Sequence, residues 1–288
     1  MERNSQQRTL AITGAANGIG EACARLAHAQ GWRVVILDRE AEAGQKVADE
    51  LNGAFYPLDL LQVDELRTLA ARIEGEVGQV HGVINSAGIS QPTVAPDELP
   101  LEIWDAVQQT HLRGTYLSCA AFGTAMAKRG GGSIVNISSV AGMRSSPLYS
   151  YGPAKAAIIS MTACLAAEWG GDGVRVNCVS PGFTRTARVE RRLELGDRDP
   201  NVYSNSAMGR MVEPNEVADA CLFLLSDNAS AITGINLPVD CGWLVSSSWD
   251  NFGGKRSAGE GNAVLAGKRT RRKAAPPAYA SGSVPGND

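Results

Sequence analysis

From Thr9 to about Trp243 the chain alternates short β-branched or apolar runs with longer stretches of helical periodicity. A strand that returns parallel to its predecessor needs a crossover long enough to cover the sheet, so this alternation predicts a parallel sheet with helices on both faces. The strand segments read as Thr9–Thr13, Arg33–Asp38, Ala54–Asp59, Val80–Asn85, Ser133–Ser138, Val174–Ser180 and Ile235–Asp240. Most are continuously apolar, as strands covered on both faces are. Helices are predicted to begin near Gly18, Ala41, Val63, Leu101, Ser150 and Pro214, the last with its proline in the first turn, where a missing N–H costs nothing.

At 288 residues with 44% hydrophobic side chains, the chain can bury a core without disulfide or metal staples. Its 27 Lys and Arg against 30 Asp and Glu argue against a nucleic-acid-binding body or a polybasic membrane surface. Cys23, Cys119, Cys164, Cys178, Cys221 and Cys241 form no C-x-x-C pair and read as reduced, buried, small hydrophobes, with no metal site. Residues 1–8 are a polar lead, and no apolar run approaches the roughly 18 residues of a membrane span, so a cytoplasmic setting is expected. The polar, arginine-rich segment 183–211 follows a strand's carboxyl end and is expected to be an irregular substrate lid. Residues 244–288, rich in Gly, Ser, Ala and Pro with a basic cluster at Lys268, Arg269, Arg271, Arg272 and Lys273, are expected to form a flexible tail.

The first strand segment runs into Thr13-Gly14-Ala15-Ala16-Asn17-Gly18-Ile19-Gly20, and a helical pattern follows at once. Glycines there allow a sharp turn and a close approach to a pyrophosphate, whose charge is favoured by the free N–H groups and dipole of a helix N-terminus. Asp38 ends the second strand segment, where a carboxylate accepts hydrogen bonds from the adenosine ribose hydroxyls and repels a 2′-phosphate. Together they predict a dinucleotide site selective for NAD over NADP. Arg39, next in sequence, is the cation that could instead receive a phosphate.

Tyr151 and Lys155 lie four residues apart, hence on one helical face. A cation there stabilises phenolate and draws the tyrosine pKa of about 10 toward working pH, as a general acid/base needs. Upstream, Ser133 through Ser139 ends a strand in hydroxyls able to bond a substrate oxygen. With these motifs in order, the sequence resembles the short-chain dehydrogenase/reductase family over about 9–243. The family's T-G-x-x-x-G-x-G loop appears as Thr13 to Gly20, its N-N-A-G as Asn85-Ser86-Ala87-Gly88, and its serine strand as Ile134 to Ser139. Its Y-x-x-x-K appears as Tyr151 to Lys155, its P-G-x-x-x-T as Pro181 to Thr186, and its T-G-x-x-x-x-x-D-G-G as Thr233 to Gly242. The resemblance implies an α/β fold: a single Rossmann-type, doubly wound domain with a seven-stranded parallel sheet flanked by helices on both faces. It also implies a homotetramer built on helix faces near 101–128 and 150–170.

By that resemblance Tyr151 exchanges the proton at the reacting oxygen, Ser139 polarises it, and Lys155 lowers the tyrosine pKa while binding the nicotinamide ribose. Gly14, Asn17, Gly18, Ile19 and Gly20 belong to the cofactor loop, Asp38 and Asp59 to the adenosine, and Asn85, Ala87 and Gly88 to the ribose. Thr186 matches the group that holds the nicotinamide carboxamide, and Leu60, Pro181, Gly182 and Thr184 complete the cofactor set. The family's catalytic asparagine falls at His111, whose imidazole accepts, donates and changes charge near neutral pH. It is expected to keep a proton relay from the lysine working; the other reading is a histidine packed at the site edge. Ser86 and Cys241 replace an asparagine and a glycine with small residues, and Ser138 remains the alternative to Ser139.

Ser90, Gln91, Met143, Arg144 and Tyr149, with Arg185, Arg188, Arg191, Arg192 and Tyr203 in the lid, are the substrate-facing candidates. Their polar character favours a sugar, polyol or hydroxy acid. Because NAD pools are largely oxidised, the expected reaction is oxidation of a secondary hydroxyl on a small polar or cyclic alcohol, with no nucleic acid or membrane as partner. Reduction of 3-oxoacyl thioesters or other ketones is the alternative within the class, and a catalytically weak nucleotide-binding scaffold or sensor the alternative outside it.

Overall fold

The computed structural model describes residues 7–62, 65–196, 199, 201, 203, 205–246 and 248–249. By internal contacts the chain divides into Met1–Val245 and Ser246–Asp288, and the sheet lies wholly in the first unit. Strands β1 (Thr9–Thr13), β2 (Arg33–Asp38), β3 (Ala54–Pro57), β4 (Val80–Asn85), β5 (Gly132–Ile137), β6 (Val174–Pro181) and β7 (Asn236–Val239) form one parallel sheet in the order β3-β2-β1-β4-β5-β6-β7. Successive residues of a strand serve opposite cores: Leu10, Ile12, Val34 and Ile36 join one apolar cluster, and Ala11, Val35 and Leu37 the other. Both faces being dry, the segments read as unbroken apolar runs. β3 stops two residues before the expected end, at Pro57, which has no N–H to continue an edge ladder.

The connecting helices are α1 (Gly18–Ala29), α2 (Ala41–Glu50), α3 (Glu65–Val77), α4 (101–129), α5 (Tyr151–Trp169), α6 (Ala187–Glu194) and α7 (Pro214–Leu225). The expected helix start at Val63 lies outside the described residues. α1 and α7 cover one face of the sheet through Ala24, Ala27, Val217 and Cys221, while α3 and α4 cover the other through Leu66, Ile73, Phe122 and Met126. α4 widens into π-helical turns at Gln109–Arg113 and Cys119–Gly123, distortions common at functional sites, and the first carries His111. The lid segment, expected to be irregular, contains α6. Thr186 caps that helix, its hydroxyl accepting the Val189 N–H at 3.4 Å.

Cys23, Cys119, Cys178 and Cys221 are free and buried as expected, whereas Cys164 is exposed and Cys241 half-buried. Cys164 lies on α5, which is apolar around its circumference, so sequence periodicity does not assign its face. Among the described residues no helix is long and apolar enough to cross a membrane, and no group of three or more His, Cys, Asp or Glu could hold a metal ion. The 244–288 segment, basic cluster included, lies outside the described residues except for 244–246, 248 and 249. Between β1 and β4 the winding of the sheet changes direction, and it is there that the carboxyl ends of parallel strands open a crevice.

Candidate active site

A cleft of about 530 Å³ runs along these carboxyl ends, from Asp59 beyond β3 to Arg192 on α6. Gly14 turns the chain out of β1 with φ +68°, its N–H donating to the Leu37 carbonyl at 2.7 Å. A Cβ there would come within 2.5 Å of Ala87 Cα, and one on Gly20 would run into the Gly14 carbonyl, so both positions exclude any side chain. Gly14, Asn17, Gly18 and Ile19 line the cleft, while Gly20 closes the loop from behind. Asp38 is almost fully buried at its rim, one carboxylate oxygen accepting the Ala16 N–H at 2.9 Å and the other the Glu40 N–H at 3.0 Å. Asp59, whose carboxylate accepts the Leu61 N–H at 3.0 Å, and Leu60 form the far wall. Glu40 also lines this end and comes within 3.5 Å of the Asn17 amide; sequence reasoning missed it, although its place two residues after Asp38 was the available signal.

Asn85, expected beside the ribose, does not line the cleft. Its register puts it opposite Asn136 on β5, and its amide donates to the Asn136 Oδ1 at 2.8 Å beneath the site. Ser86, Ala87 and Gly88 line the cleft instead.

At the other end, the segment after β5 and the start of α5 bring Ser139, Tyr151 and Lys155 onto one wall. Ser138 is buried and its hydroxyl donates to the Lys155 carbonyl at 2.7 Å, whereas the Ser139 hydroxyl accepts the Ala141 N–H at 3.1 Å. Lys155 Nζ lies 5.6 Å from the Tyr151 ring centroid and donates to the Ile137 carbonyl at 2.7 Å. Burial draws its pKa down to about 8.

His111 meets the Tyr151 ring edge-on, 5.0 Å between centroids. Its Nε2 lies 2.9 Å from the Ile89 carbonyl and 3.2 Å from the Ile89 N–H, and Nδ1 is buried with no partner among the described residues. Burial, reinforced by the Lys155 charge, pushes the imidazole pKa down to about 3. The expected change of charge near neutral pH is therefore corrected: this imidazole stays neutral there.

Gln91 has a structural task besides the one expected of it. Its Oε1 accepts the N–H groups of Ser150, at 2.8 Å, and Tyr151, at 3.0 Å, so the side chain caps α5 where the residue lines the cleft. Ser150 itself makes no side-chain cap: its hydroxyl donates to the Trp104 carbonyl at 2.8 Å and accepts the Gln108 amide at 3.1 Å. Met143 and Tyr149 sit in a shallow depression beside the cleft, and Tyr203 lines neither. These are loop residues whose direction no periodicity sets. Arg144, Arg188, Pro181, Gly182, Thr184 and Thr186 do line the cleft, as do Ser146, Phe183 and Trp243, which sequence reasoning did not single out. Phe183 and Trp243 meet edge to face at 5.9 Å, a tertiary pairing with no local sequence signal.

Comparison with known proteins agrees with this geometry. A family profile described as enoyl-(acyl carrier protein) reductase matches residues 14–244. Galactitol 2-dehydrogenase (L-tagatose-forming) of Cereibacter sphaeroides is 39% identical over 242 residues, covering 82% of this chain and 94% of that protein. D-threitol dehydrogenase of Mycolicibacterium smegmatis is 34% identical, covering 81% and 92%. The 3-oxoacyl-[acyl-carrier-protein] reductase FabG of Chlamydia trachomatis is 35% identical, covering 82% and 96%. Among solved structures, one from Brucella melitensis titled ribose-5-phosphate isomerase is 48% identical with TM-score 0.85, covering 87% and 98%. A short-chain type dehydrogenase/reductase from Mycobacterium ulcerans is 30% identical with TM-score 0.78, covering 84% and 91%. ElxO with NADP bound is 28% identical with TM-score 0.79, covering 83% and 99%. The chain belongs to the short-chain dehydrogenase/reductase family, whose members bind a nicotinamide cofactor, and is an oxidoreductase acting on alcohols.

Proposed function

We propose that this enzyme oxidises a secondary hydroxyl of a small polar or cyclic alcohol, of the sugar, polyol or hydroxy acid type, with NAD as acceptor. The observation that carries the reading is the convergence of Ser139, Tyr151 and Lys155 on the wall of a cleft whose other end is the glycine loop. The space that Gly14 and Gly20 keep free of side chains fits a pyrophosphate, and Asn17, Gly18, Ile19, Ala87, Gly88, Pro181, Gly182, Thr184 and Thr186 would hold the rest of the dinucleotide. Asp38 and Glu40 flank the adenosine end with two carboxylates against Arg39, the one cation there among the described residues, which supports NAD over NADP. When bound, the nicotinamide supplies the hydride acceptor.

The protein's own work is proton transfer. Lys155, desolvated beside Tyr151, stabilises the phenolate, and Tyr151 takes the proton of the substrate hydroxyl as its carbon is oxidised. Ser139 positions that hydroxyl; Ser138 is committed to the Lys155 carbonyl. His111, neutral and bonded to Ile89, holds the loop beside Tyr151 in place. The galactitol and threitol dehydrogenases favour the oxidative direction over the FabG reaction. An isomerase reading, which the name of the Brucella structure suggests, would need no dinucleotide, and the Gly14–Gly20 loop with Asp38 speaks for one.

The reading includes a homo-oligomer, a tetramer by family habit, supported by Leu101, Trp104 and Tyr116 exposed on α4, and a cytoplasmic setting, supported by six free cysteines. The deciding experiment follows NADH absorbance with a panel of polyols, sugars, hydroxy acids and cyclic alcohols. Turnover should fall by about 10²- to 10⁴-fold in Tyr151→Phe, and turnover undiminished in that variant would overturn the mechanism.

A further inference from the structure

The charges of the cleft are sorted by end. Its acids, Asp38, Glu40 and Asp59, all lie at the β2–β3 side. From Ser86 onward the described lining residues include no Asp or Glu, yet include Lys155, Arg144, Arg188 and Arg192. The described arginines of the lid segment themselves divide into two sets. Arg185 pairs with Glu213 and Glu190, Arg191 with Glu194, and Arg210 with Glu216, all at the surface. Arg188 and Arg192 have no carboxylate partner among the described residues. Arg188 donates to the Gly88 carbonyl at 3.0 Å and Arg192 to the Gln91 carbonyl at 3.3 Å.

Those two carbonyls fix where the guanidinium groups sit. Gly88 abuts the His111 ring, which meets Tyr151 edge-on, and Gln91 caps the first turn of α5 at Tyr151 itself. Arg192 therefore stands beside the reacting end of the cleft, whereas a pyrophosphate belongs at the Gly14–Gly20 loop. A neutral carbonyl engages one of the five donors of a guanidinium and, among the described residues, no carboxylate balances its charge. Ser146 adds a buried hydroxyl without a partner among the described residues to the same wall.

We propose that Arg192 and Arg188 form an anion subsite, so that the alcohol oxidised here carries a carboxylate or phosphate on the same small polyol skeleton: a sugar acid, hydroxy acid or sugar-alcohol phosphate. Arginine suits that role because its planar fork binds carboxylate and phosphate oxygens in pairs. Ser146 then receives a hydroxyl of the chain between the anion and the reacting carbon. The proposal rests on the dehydrogenase reading above and narrows it.

The test is titration calorimetry on Tyr151→Phe, which holds substrate without turning it over, saturated with whichever dinucleotide the wild type binds, or free if it binds neither. The probes are D-glucitol, D-gluconate and D-glucitol 6-phosphate; the last two separate a carboxylate from a phosphate preference. At least one anionic probe is expected to bind about tenfold or more tightly than glucitol. Adding Arg192→Gln should erase that margin, and the surface-paired control Arg191→Gln should keep it. Equal binding of all three probes, or a margin that survives Arg192→Gln, overturns the subsite. So does a loss in Arg192→Gln that falls on the dinucleotide instead. Failure of the dehydrogenase reading would look different: wild-type protein forming no NADH or NADPH from any alcohol, neutral or charged.

Discussion

At the β1–β3 end of the cleft the binding surface is chiefly backbone, whereas at the β5–β6 end side chains reach across to the backbone of neighbouring loops. Gly14 and Gly20 are fixed by what a Cβ would strike, and Asp38 holds the loop by accepting the Ala16 N–H. Gln91 instead caps α5 from 59 residues away, His111 braces Ile89 from 22 residues away, and Arg192 reaches Gln91 across 101. The difference teaches where chemistry is portable. A backbone-built end accepts the same dinucleotide whatever surrounds it, while the side-chain-built end changes with each loop and sets the substrate.

The sharpest probe of the side-chain-built end is its pH response. His111 titrates near 6.5 in an unfolded chain and near 3 when folded, because burial disfavours its charged form. Between those values the unfolded chain binds the proton and the native one does not. The stability associated with the neutral imidazole is therefore present above pH 6.5 and lost as pH falls toward 3. Relative to His111→Asn, the wild type should lose an extra 3–5 kcal/mol, roughly, between pH 7 and pH 3. Urea midpoints across that range measure it. Parallel curves for the two proteins would mean that water reaches the ring and that this end of the cleft is looser than its packing suggests.

The same contrast explains what was legible in the sequence. All seven strands and the Gly14–Gly20 loop could be read because burial on both faces and left-handed backbone leave few residue choices. Tyr151, Lys155 and Ser139 were readable from spacing and motif order. Gln91 was found, but its capping of α5 was not, since nothing local marks a cap for a distant helix. Asn85 was misplaced because a motif position does not say which way a strand residue points, and its register with Asn136 does. Ser146 and Trp243 left no signal, because their place at the cleft follows from how loops meet after the sheet has formed.

A second prediction tries to break the backbone-built end with a side chain. Replacing Asp38 by Ala removes the carboxylate that faces the adenosine and also releases the Ala16 and Glu40 N–H groups. The kcat/KM with NAD should fall about 10- to 100-fold, as loss of charge-assisted hydrogen bonds implies, while that with NADP should hold or rise. Parallel kinetics with both dinucleotides decide it. Equal losses would show that Asp38 braces the loop without selecting the cofactor, and the choice would pass to Glu40 and Arg39.

The smallest effect belongs to a position where backbone demand and sequence disagree. Cys241 stands where the family pattern has glycine, yet its φ is +52°, in the left-handed region, and Gly242 follows at +75°. Asp240 imposes this turn by accepting the N–H groups of Gly242 and Leu244, each at 2.8 Å. A Cβ in that conformation costs about 1–2 kcal/mol, and glycine's greater freedom in the unfolded chain returns about 0.5–1 kcal/mol of it. Cys241→Gly should therefore stabilise the protein by roughly 0.5–1 kcal/mol, raising Tm by a few degrees at most. Opposing this are the Sγ approach to the Met211 carbonyl at 3.8 Å, too long to weigh much, and the packing of the half-buried side chain against one apolar cluster. Cys241→Ala separates the two contributions, since it keeps the strained Cβ and drops the sulfur. A glycine variant less stable than the wild type, with alanine equally affected, would show that the sulfur outweighs the turn, and that side chains set the conformation even where the backbone conformation looks decisive.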